Sequence, residues 1–164
     1  MQANRGVLAI LPMTFLLLAA CDSTASRQTS ATDEFARIEK LASQSCMCKL
    51  AGRDSRGADR ALKSATDSLQ TAEGAETPAL PVHVSRKCYP KFGPKACLAD
   101  FWVHEPYGDG AVCSYEQAED LIATAEAAHL AYPRDYELAG AAVRKRFEAM
   151  RSEAAAKIPQ SACN

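Results

Sequence analysis

The 164-residue chain carries 19 basic and 20 acidic side chains, for a formal net charge of −1. That balance excludes whole-molecule attraction to nucleic acid or to anionic lipid. The length suits one domain with a real core and is short for two.

The chain opens on a positive flank, Arg5, followed by an apolar run from Val7 to Ala20. The run falls short of the roughly 20 residues a spanning helix needs and suits the hydrophobic region of a signal peptide. Leu18-Ala19-Ala20-Cys21 resembles the lipobox of bacterial lipoproteins: a branched apolar residue, two small ones and the acceptor cysteine. The resemblance implies that residues 1–20 are a signal peptide removed on export. It also implies that Cys21 is lipidated, its thiol taking the diacylglyceryl group and its freed amine a further acyl chain such as palmitate. Several acyl chains anchor stably where one would be marginal. The expected location is therefore the bacterial cell envelope, lipid-anchored and facing the periplasm. Asp22 resembles the residue that retains such proteins at the inner membrane.

Residues 21–32 are small and polar and predict a flexible tether ahead of a domain over 33–164. Thr32 or Asp33 can cap a first helix, on which Phe35, Ile38, Leu41 and Ala42 recur at helical spacing. Its far end carries Cys46-Met47-Cys48. Two residues apart on a helix, these side chains point about 200° from each other, so they reach different partners. With Cys88, Cys97, Cys113 and Cys163 they make six cysteines besides Cys21, and in an exported chain that set predicts a disulfide framework. Cys88 and Cys97 form the local bridge, and Cys46 and Cys48 pair with Cys113 and Cys163 in either order. A thiol-redox pair or a soft-metal site at Cys46 and Cys48 is the alternative chemistry.

Gly52 and Gly57 bracket a charged loop, and Ala58, Leu62, Ala65 and Leu69 mark a second helix facing the first. Residues 73–82, with two prolines, predict a connection rather than an element. Residues 83–113 predict an irregular central loop, punctuated by Pro90, Gly93, Pro94, Pro106, Gly108 and Gly110, with a short turn of helix over 94–102. Ser114-Tyr115-Glu116-Gln117 fits a capping box for a third helix, with Leu121, Ile122, Ala125, Ala128 and His129 on its inner face. Pro133 stops that helix and suits the first turn of a fourth, whose inner positions are Tyr136, Ala139, Val143, Phe147, Met150 and Ala154. The expected fold is mostly α: a small four-helix, disulfide-stapled domain with an irregular central loop.

The stretch from Arg86 to Asp109 concentrates the binding chemistry. It interleaves Arg86, Lys87, Lys91 and Lys95 with Tyr89, Phe92, Phe101, Trp102 and Tyr107, and it adds His104, Glu105 and Asp109 on a turn-prone backbone. Basic and aromatic side chains anchor interfaces, so Arg86, Lys91, Trp102, His104, Tyr107 and Asp109 are the candidate partner-binding residues. No nucleophile elbow, zinc-protease motif or phosphate-cradling loop occurs, and the spacing of His83, Cys88, Cys97 and His104 is not that of a zinc finger. No catalytic residue, metal or cofactor is therefore assigned.

From Cys113 onward the outline is Cys113, Gln117, an apolar helix, Pro133 and Asp135 in a turn, a further helix, then Pro159 and Cys163. This outline resembles the periplasmic amidase-immunity proteins associated with type VI secretion systems. The resemblance implies a helical, disulfide-bonded inhibitor of an envelope-targeting toxin. The function expected from the residues themselves is a membrane-anchored, non-enzymatic interaction module, with the lipid bilayer and another envelope protein as partners.

Overall fold

The computed structural model describes residues 22–74, 77–79, 82–103 and 110–164. Its elements run α1 (Asp22–Leu50), α2 (Arg56–Thr66), β1 (Ala72–Glu73), β2 (Thr77–Ala79), β3 (Val82–Cys88), β4 (Cys97–Val103), β5 (Gly110–Val112), α3 (Tyr115–Ala131) and α4 (Tyr136–Lys157). Single 3-10 turns sit at Pro90–Phe92 and Gln160–Ala162. Among the described residues the fold is mostly helical, with the expected four helices and with three disulfides, but an antiparallel sheet replaces the expected irregular centre. Among the described residues no helix is long and apolar enough to cross a membrane.

The sheet is four strands wide, because β1 and β2 lie in succession along the same edge of β3. β3 and β4 form its long hairpin, from Val82 opposite Val103 to Cys88 opposite Cys97. Where a helical turn was expected over 94–102, the chain enters β4. The strand carries no local signal because both of its faces bear apolar side chains. Phe101 and Val103 point one way and Leu98 the other, so no alternation of apolar and polar residues marks the strand. Residues 73–82, expected to be a connection, contribute β1, β2 and the start of β3. Pro78 is tolerated because β2 is an edge strand, where a missing N–H need not break a ladder.

Each face of the sheet meets its own helix pair. Val82, Phe101, Val103 and Val112 pack against Leu121 and Ala125 of α3 and Val143 and Met150 of α4. On the other side Tyr89, Phe92 and Leu98 join Phe35 and Ile38 of α1 and Leu69 after α2. The expected inner face of α4 begins later than proposed, since Tyr136 is 70% exposed and Ala139 is the first buried position. Pro133 lies in the turn between α3 and α4 rather than in the first turn of α4. Asp135 is the cap instead, accepting from the Leu138 N–H at 3.0 Å.

Local chemistry sets the helix ends. α1 begins at Asp22, about three turns before the expected caps at Thr32 and Asp33, since the chain from 22 to 51 contains no glycine or proline to interrupt it. At its other end Gly52 takes φ +66°, while Gly52 and Arg53 donate back to the carbonyls of Lys49 and Cys48, both at 2.9 Å. That is the Schellman arrangement, which a left-handed glycine permits. Arg53 then donates to the Ala155 carbonyl at 2.9 Å, placing a cation where the α4 dipole is negative. At α3, Ser114 Oγ accepts from the Gln117 N–H at 3.2 Å, and Gln117 Oε1 accepts from the Cys113 N–H at 2.6 Å. The expected capping box forms, reaching back one residue further than usual.

The disulfides are Cys46–Cys113, Cys48–Cys163 and Cys88–Cys97. The pairing agrees with the opposed directions of Cys46 and Cys48. One ties α1 to the sheet and the start of α3, the other to the segment after α4. The third closes the β3–β4 hairpin across its final register pair.

Candidate interaction groove

An open groove of about 770 Å³ runs between α1 and α2 on one side and β4 with the start of α3 on the other. It exists because β5 is short. β4 spans Cys97–Val103, but β5 pairs only with Phe101, Trp102 and Val103, so the edge of β4 from Cys97 to Asp100 is uncovered. After Val112 the chain turns away into Cys113 and the α3 cap. The Cys46–Cys113 disulfide crosses one end of the groove and locks its two walls together.

The helical wall is neutralised from within. Asp59 of α2 accepts from Ser45 Oγ at 2.5 Å and from Ser55 Oγ at 2.9 Å, and Lys49 Nζ lies 2.9 Å away. Desolvation alone would raise the Asp59 carboxyl, but the hydrogen bonds from Ser45, Lys49 and Ser55 outweigh it and hold the group below its ordinary range. Ser45 is buried and spends its hydroxyl on this carboxylate. Lys63 and Asp67 pair at 2.6 Å one turn further on. Asp59 thus joins α1 to α2 with its lone pairs occupied, which suits a brace and not a proton acceptor.

The sheet separates the candidate binding residues. Trp102 opens onto the groove and is 47% exposed, opposite His83 in the β3–β4 ladder. Arg86 lies on the other face, where its guanidinium donates to the Tyr115 hydroxyl at 2.5 Å. Tyr115 stacks edge-on against Phe101 at 5.0 Å. Lys91 sits at the hairpin tip, 3.7 Å from Glu34 of α1 and 5.5 Å above the Phe92 ring. Among the described residues, the basic and aromatic side chains of this stretch therefore form no single patch. His104, Tyr107 and Asp109 lie outside the described residues, as does Cys21.

All six cysteines from Cys46 to Cys163 are held in disulfides, which occupies the thiols that a redox or soft-metal site would use. Among the described residues no cluster of three or more His, Cys, Asp or Glu side chains is arranged to hold a metal ion.

A second surface was not expected from the sequence. At the α3–α4 turn, Leu130 is 83% exposed, and Tyr132, Tyr136 and Leu138 are exposed beside it. The signal lies in the sequence: four large apolar side chains crowd around Pro133 and Asp135, where α3 ends and α4 begins.

The architecture defines a class, a small α+β domain with three disulfides and a groove along an incomplete sheet edge. No family model matches the chain, and the curated proteins and solved structures contain no match.

Proposed function

We propose that the mature protein is a lipid-anchored envelope lipoprotein, held by acylated Cys21, that acts as a non-enzymatic interaction module. The observation that carries this reading is Trp102. A lone tryptophan, half-exposed at an open groove whose walls are cross-linked by a disulfide, supplies a rigid aromatic anchor in a preorganised site. The partner is another envelope protein.

The test is to isolate the partner with the exported protein and measure its affinity for single variants. Trp102→Ala should cost about 2 kcal/mol or more of binding with helix content intact. Lys91→Ala should cost less, because Glu34 already engages that cation. Arg144→Ala and Arg151→Ala on α4 serve as controls. Normal binding by Trp102→Ala alongside loss in the α4 variants would move the recognition surface to α4.

A second reading, an immunity protein against an envelope-targeting toxin, is favoured by the convex α3–α4 tip, since a protruding apolar wedge suits a concave enzyme cleft. In that case Leu130→Asp and Tyr136→Asp should abolish inhibition of the toxin while Trp102→Ala leaves it intact.

A further inference from the structure

We propose that the groove receives an extended polypeptide segment of the partner, which adds to the sheet as a strand along β4 beyond the end of β5. This rests on the interaction-module reading and names the chemistry by which the groove would recognise its ligand.

The hydrogen-bond parity of the sheet leads to this. The Tyr89 N–H donates to the Ala96 carbonyl at 2.8 Å, which makes residues 89 and 96 a bonded pair. In an antiparallel ladder such pairs alternate with non-bonded ones. Given the observed register, Lys87 with Leu98, Ser85 with Asp100 and His83 with Trp102 are then the bonded pairs. The opposite parity is fixed on the far side, where the Gly74 N–H donates to the Arg86 carbonyl at 2.6 Å. Cys97, Ala99, Phe101 and Val103 therefore aim their backbone groups away from β3. β5 receives two of these, Phe101 opposite Val112 and Val103 opposite Gly110.

Ala99 comes next along β4, and the residue that would face it in a longer β5 is Ser114. Ser114 instead caps α3, and the Cys113 N–H is spent on Gln117. The Cys97 N–H turns back to the Lys95 carbonyl at 3.0 Å. The N–H and C=O of Ala99 and the C=O of Cys97 thus point along the sheet plane into the groove, with no protein partner among the described residues. Uncommitted ladder groups of this kind are the template for strand addition.

The space fits. The α1 wall runs from Glu39 to Lys49, about 15 Å of helix, which matches four to five extended residues at about 3.3 Å each. Alternate side chains of an added strand would emerge on opposite faces of the sheet. Leu62 and Leu98 line one side and Tyr115 the other, so apolar or aromatic residues are called for at both. The internal ion pairs Lys49–Asp59 and Lys63–Asp67 leave that wall without a dominant sign, which favours a peptide of low charge.

The test uses the exported, disulfide-bonded chain and a displayed library of random eight-residue peptides, with the best binders then synthesised as free peptides. In the unliganded chain, the Ala99 N–H should exchange with solvent at least tenfold faster than those of Leu98 and Asp100. Bound peptide should slow it by tenfold or more. Methylating the peptide nitrogens at alternate positions should weaken binding at least tenfold, while methylating the intervening ones should not. Ala99→Pro removes the N–H at an open edge and should lower affinity at least tenfold. If that variant misfolds, the N-methyl series on the unaltered chain still decides.

An Ala99 N–H already protected in the free chain would overturn the proposal, because another part of the chain or a second copy would hold the edge. Peptides that need Trp102 but tolerate every N-methylation and leave Ala99 exchange unchanged would overturn strand addition and leave the interaction groove standing. Failure to enrich any peptide on the native chain over its Trp102→Ala variant would count against both.

Discussion

Two glycines are fixed by what lies against them. A β-carbon at Gly57 would come within 1.9 Å of the Asn164 backbone, where the final segment crosses the start of α2 and the Ala58 N–H donates to the Cys163 carbonyl. At Gly110 it would come within 2.2 Å of the Phe147 ring. Gly57→Ala should therefore destabilise by about 1–3 kcal/mol, the ordinary cost of overpacking, with Gly110→Ala at the lower end because a ring can shift where backbone cannot. Urea denaturation of the two variants checks both the size and the order. An unchanged midpoint for Gly57→Ala would mean that the final segment does not pack on α2.

Charge acts at the same scale. Arg146 of α4 donates to both Asp120 oxygens, with its closest contact at 2.5 Å, and to Glu153 at 3.2 Å. Its hydrogen bonds hold the Asp120 carboxyl below the usual range, against a smaller opposing effect of desolvation. A carboxyl depressed in the folded state stabilises the fold above its unfolded pKa, near 4, and loses that contribution as pH falls through the lower folded value. Because the pair is over a third exposed, its share is less than about 1 kcal/mol. Stability should thus be flat near neutrality and decline below about pH 4, and Asp120→Asn should reduce the decline. A decline of the same size in Asp120→Asn would assign it to other carboxylates, Asp59 first.

Among the elements, the α3–α4 hairpin combines a fixed beginning with a bare tip. Ser114→Ala removes the acceptor for the Gln117 N–H and should cost about 1 kcal/mol. Leu130→Ser and Tyr136→Ser touch exposed side chains and should shift stability by no more than about 0.5 kcal/mol. Thermal denaturation of all three separates a structural role from a surface one. The same hairpin shows why parts of the fold were legible. Leu121, Ala125, Ala128, Val143, Met150 and Ala154 recur at helical spacing, and the caps are written in adjacent residues. β4 has no comparable local mark, since Leu98, Phe101 and Trp102 place apolar side chains on both of its faces.

For the molecule as a whole, the disulfides divide the work unequally. Cys46–Cys113 and Cys48–Cys163 span 67 and 115 residues, whereas Cys88–Cys97 spans 9. In the chain-entropy model the long bridges, taken singly, contribute about 4–5 kcal/mol each and the short one about 2.5. Replacing both Cys48 and Cys163 by Ala should therefore lower stability by more than replacing both Cys88 and Cys97. Guanidinium denaturation of the two double variants makes the comparison. The reverse order would show that the hairpin bridge relieves strain or that the unfolded chain is already compact.

The bodies of the helices, the Ser114 cap and the separate partners of Cys46 and Cys48 can be inferred from residues a few places apart, because 3.6-residue periodicity and capping are short-range properties. The choice of Cys113 for Cys46 and Cys163 for Cys48 cannot, since it depends on which way α1 faces. Nor could the sheet be foreseen, or the placing of Arg86 and Trp102 on its opposite faces, or the open edge at Ala99. Each depends on register between strands, and a slip of one residue would exchange the two faces. That register is set by how the helix pairs clamp the β3–β4 hairpin from either side, through contacts between residues far apart in the chain.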